Sequence, residues 1–314
     1  MDNNTLGNLI ISALDEYCDA EELYGDSAWI EIDPQTPCVN IISDEEADSS
    51  PFDCYEVMSL LKPSPDDPAS WTPDMEAIRE IPGFQICNSP LLVVMLTHHD
   101  YTVQNAEEIF EQCKDTKALC WGMKELPLPP ERMKALFARM KECGKTTALE
   151  VVGYSEEEGM RGAALAADCG CDILMGTKYF PSIAKFCANN GLRYMPFVGT
   201  IEGRPSVLTG SPEEIIAEAR EAITGGAHGV DLLGYRYQGD AQALNKSLVE
   251  SLEAPVCIAG SIDSFDRLDE VIEAAPYSFT IGSAFFENCF GGSFAEQIDK
   301  VCTYLEKKAS PLAT

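Results

Sequence analysis

The stretch TTALEVVGYSEEEGMRGAALAADCGCDILMGT (146–177) decides the fold. An apolar run, TTALEVV (146–152), leads to Ser155 and three glutamates. The next residues have apolar positions at three- and four-residue spacing up to Gly170, and a second apolar run, CDILMG (171–176), follows. Ser before an acidic first turn and Gly after the last periodic residue are helix start and stop signals, and short apolar runs on either side read as buried strands. The stretch is therefore a strand–helix–strand unit.

The same unit recurs on both sides. Apolar runs stand at LLVVML (91–96), ALCWGM (118–123), LRYMPFV (192–198), GVDLLG (229–234), PVCIAG (255–260) and YSFTIG (277–282), making eight with the two above. Helical patterns lie between them, at 105–115, 130–144, 155–170 and 211–226 among others. Eight such units in ~224 residues predict an α/β chain folded as a (β/α)8 TIM barrel over 91–314. A doubly wound sheet is the alternative, but it gives no reason to stop at eight regular units.

Residues 1–90 read differently. NTLGNLIISALDEYC (4–18) predicts a helix. AWIEI (28–32) and CVNII (38–42) flank a turn-like DPQTP and predict a hairpin, and MEAIREI (75–81) predicts a short helix among acidic, Pro- and Ser-rich loops. This predicts a small acidic α+β module preceding the barrel. Of the 314 residues 52 are acidic and 22 basic, a net charge of −30. Residues 1–90 hold 20 acidic and two basic groups, so −18 falls there and −12 on the rest. Such a surface repels nucleic acid and anionic membranes. No run approaches the ~20 apolar residues of a membrane span. The start, MDNNTLGNLI, lacks a basic region followed by an apolar stretch, so a cytoplasmic protein is expected. The 13 cysteines include no CxxC pair. Their scatter through apolar runs points to reduced, buried thiols.

In a barrel of this kind the chemistry lies at the C-terminal strand ends and in the loops that follow. That rule selects His98-His99-Asp100 after the first strand, Lys124 after the second and Glu150 on the third. It adds Lys178 after the fourth, Asp231 and Arg236 at the sixth, Gly260-Ser261 after the seventh and Gly282-Ser283 after the eighth. AGSIDS (259–264) and IGSAFF (281–286) are small-residue loops at the two strands where backbone N–H groups and a helix start can hold a phosphate. Glu150 sits inside an apolar run. A carboxylate there needs a cation, and Lys124 is suited to that role. The two could act as base and electrophile in abstracting a proton beside a carbonyl. Arg236 could clamp a second anionic group. His99 is the histidine expected to face the ligand. Adjacent residues on an extended segment point to opposite sides, so His98 and His99 should not share a site and a His-rich metal centre is not expected. His228 precedes the sixth strand and belongs to the opposite face. No cofactor is required by these residues; a magnesium ion held by Asp100, Glu150 or Asp231 with substrate phosphate is compatible with them.

The AGSI and IGSA loops and the spacing of the eight units resemble the ribulose-phosphate-binding barrels, a superfamily of phosphosugar aldolases, decarboxylases, isomerases and cyclases. More distantly, CDILMGT (171–177), MPFVGT (195–200) and LEVV (149–152) resemble 2-keto-3-deoxy-6-phosphogluconate aldolases. Those enzymes carry their Schiff-base lysine on the next strand, where this chain reads VDLLGYR (230–236) with Asp231 near the lysine position. The departure argues against the same mechanism from the same place and leaves Lys124 and Lys178 as candidate amines. The resemblance implies an enzyme acting on a small phosphorylated metabolite, a sugar phosphate or keto acid phosphate. Its chemistry would be lyase or isomerase chemistry through an enediolate-like intermediate. Glu150, Asp231 or Asp100 would move protons. Gly260, Ser261, Gly282 and Ser283 would hold phosphate. The alternative is a sensor or scaffold that binds a phosphorylated ligand without turnover and meets a protein partner through residues 1–90. A homo-oligomer is compatible with either reading.

Overall fold

A computed structural model describes residues 90–203 and 206–309, together with short strands within 28–87. The chain divides into two units, 1–88 with 309–314, and 89–308. In the first, Ala28–Asp33 pairs antiparallel with Cys38–Ser43 and parallel with Phe84–Cys87. The two predicted helices of this unit lie outside the described residues.

The second unit is a closed barrel of eight parallel strands. They are β1 (Leu91–Met95), β2 (Cys120–Lys124), β3 (Thr146–Val151), β4 (Ile173–Lys178), β5 (Arg193–Phe197), β6 (Val230–Leu232), β7 (Val256–Ile258) and β8 (Ser278–Ile281). Each falls on one of the predicted apolar runs. The helices are α1 (Ala106–Cys113), α2 (Pro130–Glu142), α3 (Glu156–Asp168), α4 (Pro181–Asn189), α5 (Pro212–Thr224), α6 (Ala241–Glu250) and α7 (Phe265–Ala274). The short α8 (Ser283–Phe286) and α9 (Phe294–Ala309) follow β8. Ser155 and Ser211 cap α3 and α5 in reciprocal boxes with Glu158 and Glu214, which satisfy otherwise orphaned N–H groups at each helix start. One feature absent from the sequence reading is a small hairpin after β5, Thr200–Glu202 with Val207–Thr209. Arg204 lies outside the described residues.

Strand alternation builds two cores. Outward residues such as Leu92, Val94, Trp121, Leu149, Leu174 and Phe279 pack under the helices. Inward residues Val93, Met95, Cys120, Ala148, Ile173, Met175, Met195 and Cys257 fill the barrel. This plug closes the lumen below the mouth, so polar groups on the inner face can reach substrate only at the top. The close approach of β3 and β4 at that end depends on Gly176. Its φ is +74°, and an added Cβ would stand 2.5 Å from the Val151 carbonyl oxygen. Gly176→Ala is therefore expected to lower stability in urea unfolding by ~2 kcal/mol or more, from backbone strain plus a clash that no side-chain movement relieves.

Candidate active site at the barrel mouth

The strand register brings the central pair together. Lys124 ends β2, Glu150 lies opposite it on β3, and both side chains point inward. Lys124 Nζ is 3.0 Å from Glu150 Oε1 and 3.2 Å from Asp100 Oδ1. Arg236, in the 3-10 turn after β6, donates from Nη1 to Asp100 Oδ2 at 3.1 Å and from Nη2 to Oδ1 at 3.2 Å. The result is a continuous chain Arg236–Asp100–Lys124–Glu150 of alternating charge. The side chains of Asp100, Lys124 and Glu150 are each less than a tenth exposed.

Burial alone would raise the Asp100 carboxyl. The Arg236 hydrogen bonds and the charges of Lys124 and Arg236 outweigh it and hold the group at about 2. Burial likewise pulls the Lys124 amine down, but Glu150 and Asp100 together raise it above its ordinary value, so it is an ammonium at neutral pH. The Lys124 backbone is fixed by Thr102, whose hydroxyl accepts from Lys124 N at 2.8 Å and donates to Lys124 O at 2.7 Å. Sequence reasoning missed Thr102. Its signal was a threonine that must be buried in an otherwise polar loop, and burial of a loop residue is not readable from spacing.

Asp231 is on the inner face of β6, beside Cys257 of β7 in the register. It is fully buried, and neither carboxyl oxygen has a hydrogen-bond partner. Burial, then the Glu150 charge, push its carboxyl well above the ordinary 3.8, against the pull of Lys124. Asp231 is thus a neutral acid beneath an ion chain.

The seventh- and eighth-strand loops meet the same network. The stem of Arg236 lies across Gly260, where an added Cβ would stand 2.8 Å from Arg236 Cγ and φ is +86°. Ser261 follows it, exposed, with φ +53°. Ser283 opens α8, and its hydroxyl accepts from the His99 backbone N–H at 3.1 Å. A Cβ on Gly282 would press on Thr97.

Three expectations change. Arg236 was read as able to clamp a second anionic group, and here its guanidinium is engaged by Asp100. His98 and His99 were expected to point apart. Instead their rings stack at 3.8 Å, because His99 and Asp100 turn the chain with φ +50° and +66° and the extended-strand rule no longer applies. Of the carboxylates considered for magnesium, Asp100 is paired with Lys124 and Arg236 and Glu150 with Lys124, so an ion at those two would have to displace the cations. Lys178 closes β4, and no hydrogen bond or ion pair joins it to this network among the described residues.

No protein-family model and no curated protein sequence matches the chain. Solved structures do. The native KDPGal structure is 15% identical with a TM-score of 0.51, over 69% of this chain and 95% of the other. Orotidine 5'-phosphate decarboxylase from Pyrococcus horikoshii OT3 is 12% identical with a TM-score of 0.50, over 69% and 99%. The tryptophan synthase alpha chain from Legionella pneumophila subsp. pneumophila is 12% identical with a TM-score of 0.50, over 72% and 94%. The fold they share with this chain is the closed (β/α)8 barrel. At these identities the likeness is one of fold. Among the described residues no helix is long and apolar enough to cross a membrane.

Two outcomes follow from the buried charges. Lys124→Met leaves two buried carboxylates without their shared cation and should cost ~3–5 kcal/mol in urea unfolding, part of it recovered by Lys124→Met/Glu150→Gln. Asp231 acts through its proton. Below pH 3.8 it is protonated both folded and unfolded. As the pH rises further the unfolded chain ionises while the folded barrel keeps the proton, so stability falls. Asp231→Asn should therefore be more stable than the parent at pH 7, with the pH-dependent part of the difference shrinking as the pH falls and lost below 3.8, as thermal melts across that range would show.

Proposed function

We propose that the barrel is an enzyme acting on a small phosphorylated metabolite, a sugar phosphate or keto acid phosphate, by lyase or isomerase chemistry through an enediolate-like intermediate. The observation that carries this reading is the Lys124–Glu150 pair, buried side by side at the barrel mouth and backed by Asp100 and Arg236. An ammonium has three donors. Two of those of Lys124 meet Glu150 and Asp100, and the third can meet a substrate carbonyl oxygen. Glu150 takes the proton from the adjacent carbon, and Lys124 stabilises the negative charge that develops on oxygen. Asp100, held ionised, positions Lys124 and Arg236 and is a poor base. Asp231, buried beneath the pair, does not meet the substrate and acts on the chemistry through its neighbour Glu150. Gly260, Ser261, Gly282 and Ser283 would take the phosphate through the backbone and hydroxyl groups of two adjacent loops. This placement agrees with the fold's habit of binding at the strand C-termini.

Lys124 serves here as an ion. A Schiff base needs the neutral amine, which two carboxylates disfavour. The division of the chain into an acidic module over 1–90 and the barrel is part of the same proposal, with the module outside the chemistry.

The test is hydrogen exchange. A panel of sugar phosphates and keto acid phosphates is incubated with the protein in D2O, and deuterium at carbon next to carbonyl is read by mass spectrometry. One member should exchange, and Glu150→Gln should slow that exchange by ~100-fold or more. Borohydride added with the same compound should leave the mass of the Lys124 peptide unchanged. Undiminished exchange in Glu150→Gln, or a reduced adduct on Lys124, would contradict these roles.

A further inference from the structure

Two of the three histidines in the chain stand together at the rim of the mouth, outside the Lys124 network. His98 ends the short strand Thr97–His98, which pairs antiparallel with Tyr101–Thr102. His99 and Asp100 form the two-residue turn between them, both in the left-handed region. The turn is held from outside by the His99 N–H bond to Ser283 and by the ion pairs of Asp100. Facing it is Glu287, the C-cap residue that follows α8. One donor atom from each of His98, His99 and Glu287 lies within 4.8 Å of the other two.

His98 supplies the second observation. Its ring is fixed between His99 at 3.8 Å and Phe286 at 5.4 Å. Its Nε2 is withdrawn from solvent and has no hydrogen-bond partner. Glu287 Oε1, at 3.6 Å, is too distant for a hydrogen bond. An imidazole nitrogen kept from water and aimed at a carboxylate without bonding it is costly unless something sits between them.

We infer that His98, His99 and Glu287 form a site for a divalent first-row transition ion of the zinc and cobalt class. Two imidazoles and one carboxylate suit such ions and leave one tetrahedral position open. Bonds of ~2.0–2.1 Å place tetrahedral donors roughly 3.3 Å apart, so the three groups must close by an ångström or so. Glu287, half exposed at the end of a short helix, has the freedom to close on the two imidazoles. Ser283 accepts from the His99 backbone N–H, so an ion held by these side chains would add positive charge near that loop. Metal binding itself does not depend on the proposed reaction.

The experiment uses the full chain, stripped with chelator and titrated with Co2+ while visible absorption and calorimetry are followed. One equivalent should bind with an imidazole–carboxylate spectrum. His98→Ala/His99→Ala should lose that equivalent, and Glu287→Gln should weaken it by at least the ~10-fold that loss of a mere outer partner costs. If the double variant does not fold, the parent protein decides. Co2+ should then protect His98 and His99 from diethyl pyrocarbonate, read by peptide mass. The inference is overturned by no binding, by an equivalent unchanged in the histidine variant, by a thiolate charge-transfer spectrum in place of the expected one, or by no protection.

Discussion

The site depends on one register. Lys124 and Glu150 are opposite one another on neighbouring parallel strands, both on the inner face. Neither could remain charged there alone, because the cost of taking an isolated ion out of water is several kcal/mol. Together they form an ion pair, which Asp100 and Arg236 extend into one chain. A buried network of this sort adds little net stability compared with apolar residues of the same size. Its presence on the inner face of an otherwise apolar plug is therefore best understood through chemistry. The plug of Val93, Met95, Cys120, Met175, Met195 and Cys257 keeps the lumen below closed, so the charges are presented at the top.

The network also alters the meaning of the global charge. The chain carries −30, yet at the mouth two cations meet two carboxylates and Asp231 keeps its proton. Local neutrality lets an anionic ligand approach a protein whose wider field opposes it. Screening limits that wider field to about 8–10 Å in ordinary salt, so groups in contact with the ligand dominate.

The barrel was legible because its signals are local and repeated. Period-two and period-3.6 patterns alternate eight times, and caps such as Ser155 with Glu158 mark helix starts within a residue. The Lys124–Glu150 pair was legible too, since a charge inside an apolar run asks for a partner on a neighbouring strand. What failed to show was tertiary. Asp100 and Arg236 are 136 residues apart, and nothing in either neighbourhood announces the other. The stacking of His98 on His99 depends on two non-glycine residues with positive φ, against the local preference that the strand rule assumes. The proton on Asp231 follows from complete burial beside Glu150, which strand position alone did not reveal.

The most direct measurement is a crystal of the protein soaked in arsenate, whose arsenic locates a phosphate-like anion without ambiguity. An anomalous peak is expected between the Gly260-Ser261 and Gly282-Ser283 loops, on the side of the mouth that holds Lys124 and Arg236. A peak elsewhere on the barrel, or none at saturating arsenate, would contradict a phosphate site joined to the Lys124–Glu150 pair.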